Sequence, residues 1–367
     1  MAPMTMVLDT DGGRTEASGE SFTVRPVPEA TGSWALDDAL RPPAHGRIVL
    51  LTGGMGVIEE ELLHRALVPL GPVHPVPRTA AAVSAIIGPG TAEGPRLVCD
   101  AGERGFTVVL ADAGDGLIRP VSVMNEPKLG RWAFVEAVTA AGAPETRAEM
   151  GRALRQPGGR LATVIQQAMR HDFVRDEAVA AGVTAGLVLD TFTAFAERIK
   201  TLLPSCPGAE ILLIGGFADF PLVRQAIADA AGREPRTLDV VAIARGACDV
   251  AEGRTRVAAM PHEQVALPLH RTRAGLLEEI AVPLPTGLGE FAQLDDGPLV
   301  LSNGGTPTAK PALPDRLPLV VAGERCRVSL AGLPPGQYRV GVRGAPIGLL
   351  FDNEAADPIL IPVERQT

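Results

Sequence analysis

Residues 211–224 read Ile-Leu-Leu-Ile-Gly-Gly-Phe-Ala-Asp-Phe-Pro-Leu-Val-Arg, and the fold turns on this stretch. An apolar run over residues 210–214 reads as a buried strand, because it is short, rich in branched side chains and stopped by paired glycines. Proline fits the first position of a helix, so residues 221–231 read as helical. Strand, glycine turn and helix in this order mark an α/β protein. Upstream, a helix capped by Thr184 places Val188, Phe192, Phe195, Ile199 and Leu202 on one stripe. Downstream, a last helix spans residues 239–252.

The same grammar appears twice. Residues 4–9, 14–18 and 21–27 read as a three-strand meander, followed by a buried strand at 47–52, a helix at 57–67, an extended segment at 72–77 and a small-residue helix at 79–87. Residues 96–100, 106–112 and 117–123 then form a second meander, with a turn at 102–105. From about 130 to 203 the chain reads as helical, and the strand at 210–214 with its two helices closes the pattern. A meander, then strand, helix and helix, performed twice, predicts two ribonuclease-H-like lobes clasping a ligand.

After Arg254 the character changes. Segments 264–269, 278–284, 299–302, 317–321, 325–330, 337–342, 347–351 and 359–363 are strand-length pieces between Pro/Gly turns. Cys326, Val328 and Leu330 alternate with polar neighbours, as do Tyr338, Val340 and Val342, so one face is inside. The expected organisation is a domain over residues 1–254, with lobe I at about 1–94 and lobe II at about 95–254, then an all-β sandwich-like domain over 262–367.

The 211–224 segment resembles the adenosine-binding segment of the 70-kDa heat-shock chaperones, where an apolar strand ends at Gly-Gly and Pro-x-Val opens the next helix. Residues 239–247 (DVVAIARGA) resemble that family's closing helix, and Thr79-Ala80-Ala81-Ala82 its hinge helix. Asp100-Ala101-Gly102 resembles the opening of its second phosphate loop, and Leu8-Asp9-Thr10-Asp11-Gly12-Gly13 the first. The resemblance covers about residues 4–254 and implies an actin-like ATPase fold. The ligand it implies is ATP or ADP with Mg²⁺, cradled by Asp9, Gly12, Gly13, Asp100, Gly102, Arg104, Gly105, Gly215 and Gly216. The chemistry suits these residue types. Glycine turns aim backbone N–H groups at phosphate oxygens, and an aspartate at a strand end holds Mg²⁺ through water or positions an attacking water. Asp9 and Asp100 are the catalytic and metal candidates, and Arg104 is positioned to pair with a phosphate.

The sequence also departs from that pattern. Glu103, Arg104, Gly105 and Thr107 stand where the second loop carries two glycines, a threonine and an acid. Pro77 takes the place of a water-polarising glutamate, Arg78 that of a proline, Phe217 that of a serine and Asp219 that of an adenine-flanking arginine. Residues 28–46 hold no lysine, only Arg41. Each missing electrostatic contact removes a few kcal/mol of transition-state stabilisation. Glu197 and Lys200 resemble an adenosine-contacting Glu-x-x-Lys, beside the plainer reading of a solvated i,i+3 pair.

Charge and composition narrow the rest. A net charge of −9 gives no basic surface for nucleic acid. No stretch of eighteen apolar residues occurs, and the N-terminus lacks a secretory pattern, so a cytoplasmic location is expected. Cys99, Cys206, Cys248 and Cys326 are scattered without zinc spacing and read as reduced, mostly buried thiols. The expected function is that of a divergent chaperone-like protein with a degenerate nucleotide cleft and weak or absent ATPase activity, working through a protein partner. The alternative is an active ATP-dependent enzyme, an ATPase or small-metabolite kinase. A third reading is a scaffold whose cleft is closed by side chains such as Arg104 and Phe217.

Overall fold

Two sheets of matching topology organise the first two-thirds of the chain. The computed structural model describes residues 5–9, 13–18, 21–25, 46–53, 57–88, 90–140, 144–156, 158–258, 265–273, 276–294, 297–303, 316–321, 324–343 and 347–365. Strands β1 (Thr5–Asp9), β2 (Gly13–Ser18), β3 (Ser21–Arg25), β4 (Arg47–Thr52) and β5 (Val73–Pro77) form the first sheet in the order β3-β2-β1-β4-β5. β1, β2 and β3 pair antiparallel, whereas β4 and β5 run parallel to β1. Helix α1 (Val57–Leu67) lies between β4 and β5 in the chain, and α2 (Arg78–Ser84) follows β5 directly.

The second sheet repeats the plan. β6 (Gly94–Ala101), β7 (Phe106–Gly114) and β8 (Leu117–Glu126) form the antiparallel meander. Helices α3 (Arg131–Val138), α4 (Pro144–Ala153) and α5 (Arg160–Ala168) come next. Strands β9 (Ala178–Ala180) and β10 (Val183–Thr184) then make a small hairpin before α6 (Ala185–Leu202). The sequence pattern predicts helix throughout this stretch. The β-branched Val179, Val183 and Thr184 suit a hairpin instead. β11 (Glu210–Ile214) adds parallel to β6, α7 (Pro221–Ala231) leads to β12 (Arg236–Thr237) parallel to β11, and α8 (Val240–Ala251) leads to β13 (Arg256–Val257), which pairs parallel with the start of β8. The order is β12-β11-β6-β7-β8-β13.

Two cores hold these sheets. One joins them: Val7, Val49, Leu51 and Val76 of the first sheet and Val98, Val109, Leu212 and Ile214 of the second share a cluster with Ala80–Val83 of α2 and Ile243, Ala244 and Ala247 of α8. Small side chains make this possible, because α2 and α8 nearly touch. A Cβ on Gly246 would stand 2.0 Å from the Ala81 carbonyl oxygen and 2.7 Å from the Ala85 nitrogen. The other core lies under α3, α5, α6 and α7 and centres on Phe134, whose ring meets Phe192, Phe195, Phe217 and Phe220 at 5.3–5.7 Å. The stripe read from the sequence is its α6 share: Val188, Phe192, Phe195 and Ile199 are buried and Leu202 packs against them. The Thr184 hydroxyl accepts from the Leu187 N–H, capping the helix as expected.

The chain divides into two compact units, one of residues 1–55 and 70–258, the other of 56–69 and 259–367. Helix α1 thus belongs to the second unit, although the strands on either side of it belong to the first. Within the second unit, β14 (Val265–Arg273), β15 (Leu276–Pro283), β19 (Arg316–Val321), β20 (Glu324–Ser329) and β24 (Glu364–Arg365) form one sheet. β18 (Val300–Asn303), β21 (Gly336–Arg343), β22 (Gly348–Asp352) and β23 (Ile359–Pro362) form another, and β16 (Gln293–Leu294) and β17 (Gly297–Pro298) a hairpin. Both sheets contribute to one core, which includes Leu267, Leu319, Val328, Tyr338, Val340 and Phe351. The inward alternation of Cys326, Val328, Tyr338, Val340 and Val342 is as the sequence predicts. The protein is therefore of mixed α/β class, and no helix among the described residues is long and apolar enough to cross a membrane.

Candidate functional site

Strands β1, β6 and β11 end beside one another, each at a point where a turn is predicted to face a ligand. Asp9 closes β1 and pairs with Gly13 at the start of β2, while Gly12 lies outside the described residues. Asp100 sits near the end of β6, directly paired in register with Ile214 of β11. Gly215 follows with φ +99°, and a Cβ there would stand 2.3 Å from the Ala101 carbonyl oxygen and 2.6 Å from Asp100 Oδ1. Only glycine suits that backbone angle and approach together. The Phe217 N–H then donates to the Ala101 carbonyl at 2.8 Å, tying the Gly215-Gly216 turn to the second loop.

Between the two aspartates lies a residue that the sequence reading treated only as a substitution. Arg78, the first residue of α2, is 1% exposed, and its guanidinium reaches both acids. Nη2 donates to Asp9 Oδ1 at 2.7 Å and Nη1 to Asp100 Oδ1 at 3.2 Å. Asp9 and Asp100 are themselves only 6% and 3% exposed. A charged triad this deep stands only because each charge has its partner, since an unpaired buried ion costs several kcal/mol. A detectable signal existed: a lone arginine heading an alanine run at the end of a strand, too close to the sheet to reach water.

The second loop is occupied internally as well. The Gly102 N–H donates to the Gly105 carbonyl at 2.9 Å, and the Gly102 and Glu103 carbonyls accept from Arg131 and Trp132 N–H groups at the start of α3. Gly130 lets the helix press onto the loop, since a Cβ there would fall 2.3 Å from the Arg104 carbonyl carbon. The Glu103 carboxylate is held by the buried Arg131 and by Arg155 at 3.6 Å. It is thereby engaged in ion pairs on the α3 side of the loop. Arg104 is exposed, and Phe217 is buried in the phenylalanine core. Phe217 is therefore a core group and not a cleft residue.

The groups gathered here are a guanidinium, two carboxylates and a buried thiol. The Cys99 thiol beside Asp100 is fully buried, and burial first, then the Asp100 charge, pushes its pKa up to about 12. It stays protonated. Glu197 and Lys200 form an exposed i,i+3 pair at 2.6 Å, the plainer of the two readings. All four cysteines are free, with Cys99, Cys248 and Cys326 buried.

Beyond the Gly-Gly turn, a surface cleft of about 810 Å³ is bordered by Gln166, Arg170, Asp219, Arg224, Asp229 and Glu234. Arg224 is paired with Glu234 at 2.9 Å, and Gln225 donates to Asp229 at 2.6 Å. Partial desolvation raises the Asp219 carboxyl above its ordinary value. A partly buried carboxylate thus borders this cleft.

No protein-family model matches the chain, and no curated protein matches it. The residues do not fit a Mg²⁺-nucleotide. Both candidate metal carboxylates are engaged by Arg78, the Gly102 N–H by Gly105, and no group of three or more His, Cys, Asp or Glu among the described residues is disposed to hold a metal.

Proposed function

We propose that the first unit is a pair of ribonuclease-H-like lobes of the actin and heat-shock-chaperone type, and that its clasp is non-catalytic, with Arg78 as a built-in cation. The matching strand orders β3-β2-β1-β4-β5 and β12-β11-β6-β7-β8, with α2 and α8 crossing between the sheets, support the lobe assignment. The single observation that carries the functional reading is the Asp9–Arg78–Asp100 triad. In an ATPase of this type the two acids would face a solvated Mg²⁺ and the attacking water. Here a guanidinium fills their coordination and brings a fixed positive charge, so the two halves of the clasp are joined by the chain itself. Such a protein acts by presenting surfaces, and a protein partner is the fitting ligand. The C-terminal unit, with its two sheets around one core, is a sandwich-like module carried for that purpose.

The test is thermal unfolding and phosphate release with ATP or ADP at millimolar concentration and Mg²⁺. The expected result is no shift and no Mg²⁺-dependent phosphate above background. A ligand at about 100 times its Kd adds roughly 2.7 kcal/mol of stability. A shift of that size restores the nucleotide-clasp reading, and turnover of about 1 s⁻¹ restores the enzyme.

A further inference from the structure

Helix α1 is seated on the β-rich unit to which it belongs. Glu61 is buried, and its Oε2 accepts from Arg343 Nη2 at 3.0 Å, Arg343 Nε at 3.2 Å and the Gly289 N–H at 3.3 Å. Arg343, at the end of β21, is buried too and donates to the Val342 and Glu290 carbonyls. Arg65 donates to Asp352 Oδ1 at 2.7 Å. His64 is half-buried against the same glycine turn that holds Glu61. A Cβ on Gly289, where φ is +73°, would stand 2.6 Å from His64 Cε1 and 3.0 Å from its Nδ1, so a glycine makes room for the ring. The charged groups acting on this imidazole are Glu61, one turn back on α1, and Arg343 of β21. Glu60 lies four residues back on the helix, Arg65 is taken up by Asp352, and the Glu290 carboxylate lies against Gly287.

We propose that His64 is a proton latch for α1: with its imidazole neutral the helix is seated on the β-rich unit, and protonation loosens that seat. An imidazolium here would be half removed from water and would face the Arg343 guanidinium, a like charge. Arg343 cannot swing away, because it is bound to Glu61 and to two backbone carbonyls. Glu61 attracts an imidazolium, yet its Oε2 already accepts from Arg343 and the Gly289 N–H. Burial lowers the His64 pKa, the Glu61 charge works against this, and the Arg343 charge adds to it, so the group stays below its ordinary value. A loosened helix therefore binds the proton more readily than a seated one. The contribution of His64 to the seat is complete above the ordinary value of about 6.5 and is lost as pH falls from there through the folded one.

Hydrogen exchange of the full chain, resolved by peptide and expressed as protection relative to the intrinsic rate at each pH, tests the latch. Between about pH 7.5 and about pH 5.5, protection of residues 57–67 should fall about threefold or more, while β20 and β22 keep theirs within about twofold. His64→Gln carries no charge at either pH, so its protection over 57–67 should agree at the two within about twofold. Should that variant fail to fold, His64→Asn makes the same comparison. The latch is overturned if wild-type 57–67 keeps its protection at the lower pH. It is overturned equally if the uncharged variant loses as much as the wild type, which would place the titration on a carboxylate of the seat. Equal loosening of β20 and β22 with α1 also overturns it, since the whole unit would then be acid-labile.

Discussion

Arg78→Met is the sharpest perturbation the structure offers. Methionine keeps much of the buried stem and removes the guanidinium, leaving Asp9 and Asp100 at 6% and 3% exposure with no cation between them. Removing one side of a buried ion group costs about 3–5 kcal/mol, because the remaining carboxylates lose their guanidinium in a dehydrated site. In a unit of this size each kcal/mol moves the melting temperature by about 2–4 °C, so a fall of roughly 6–20 °C is expected by calorimetry. The companion variant replaces the whole group: Asp9→Asn with Asp100→Asn and Arg78→Met. Replacing a buried ion group entirely is often close to neutral, so this triple variant should recover most of the loss. A single variant melting within about 2 °C of the wild type would refute the reasoning, since the triad would then hold nothing together.

Two further outcomes can be checked on the same preparation. Gly246→Ala would stabilise an ordinary exposed helix by up to about 1 kcal/mol, yet here the added methyl meets the Ala81 carbonyl at 2.0 Å; overpacking should win, with a net loss of about 1–3 kcal/mol in denaturant unfolding. For Asp352, burial alone would raise the carboxyl, but the Glu354 N–H, then Arg339 and Arg65, outweigh it and hold it below its ordinary value. The unfolded chain binds that proton more readily, so the stability from Asp352 is present above the unfolded value of about 3.9 and is lost as pH falls through the folded one. Asp352→Asn should flatten the acid limb of the stability curve, and an unchanged limb would show that other carboxylates set it.

Much of this architecture could be read from local patterns. The α6 stripe, the Thr184 cap, the glycine turn before Pro221 and the inward alternation around Val328 and Val340 are all short-range signals, and each corresponds to an observed element. The glycine turn at Gly215 and the acids at Asp9 and Asp100 were legible because turns at strand ends have their own grammar. The bridge by Arg78 was not, since its partners lie 69 and 22 residues away and no period links them. The grouping of α1 with residues 259–367 was hidden for the same reason: Glu61 and Arg343 are 282 residues apart, and Glu61 in sequence looks like any solvated glutamate near a helix start. Phe217 follows the glycines and so reads in sequence as a cleft residue, whereas its ring joins a core assembled from α3, α6 and α7.

Arg78 is a counter-ion that cannot be diluted. A dissolved cation occupies a pair of acids according to its concentration, whereas a tethered group faces them at an effective concentration of about millimolar even on a loose linker, and higher on a rigid one. Arg78 is carried on the first turn of a helix and sits 2.7 and 3.2 Å from its carboxylates. A free divalent ion would have to displace it against that local excess. Arg78 is therefore placed between its acids when the chain folds, and its occupancy there does not follow the concentration of dissolved ions.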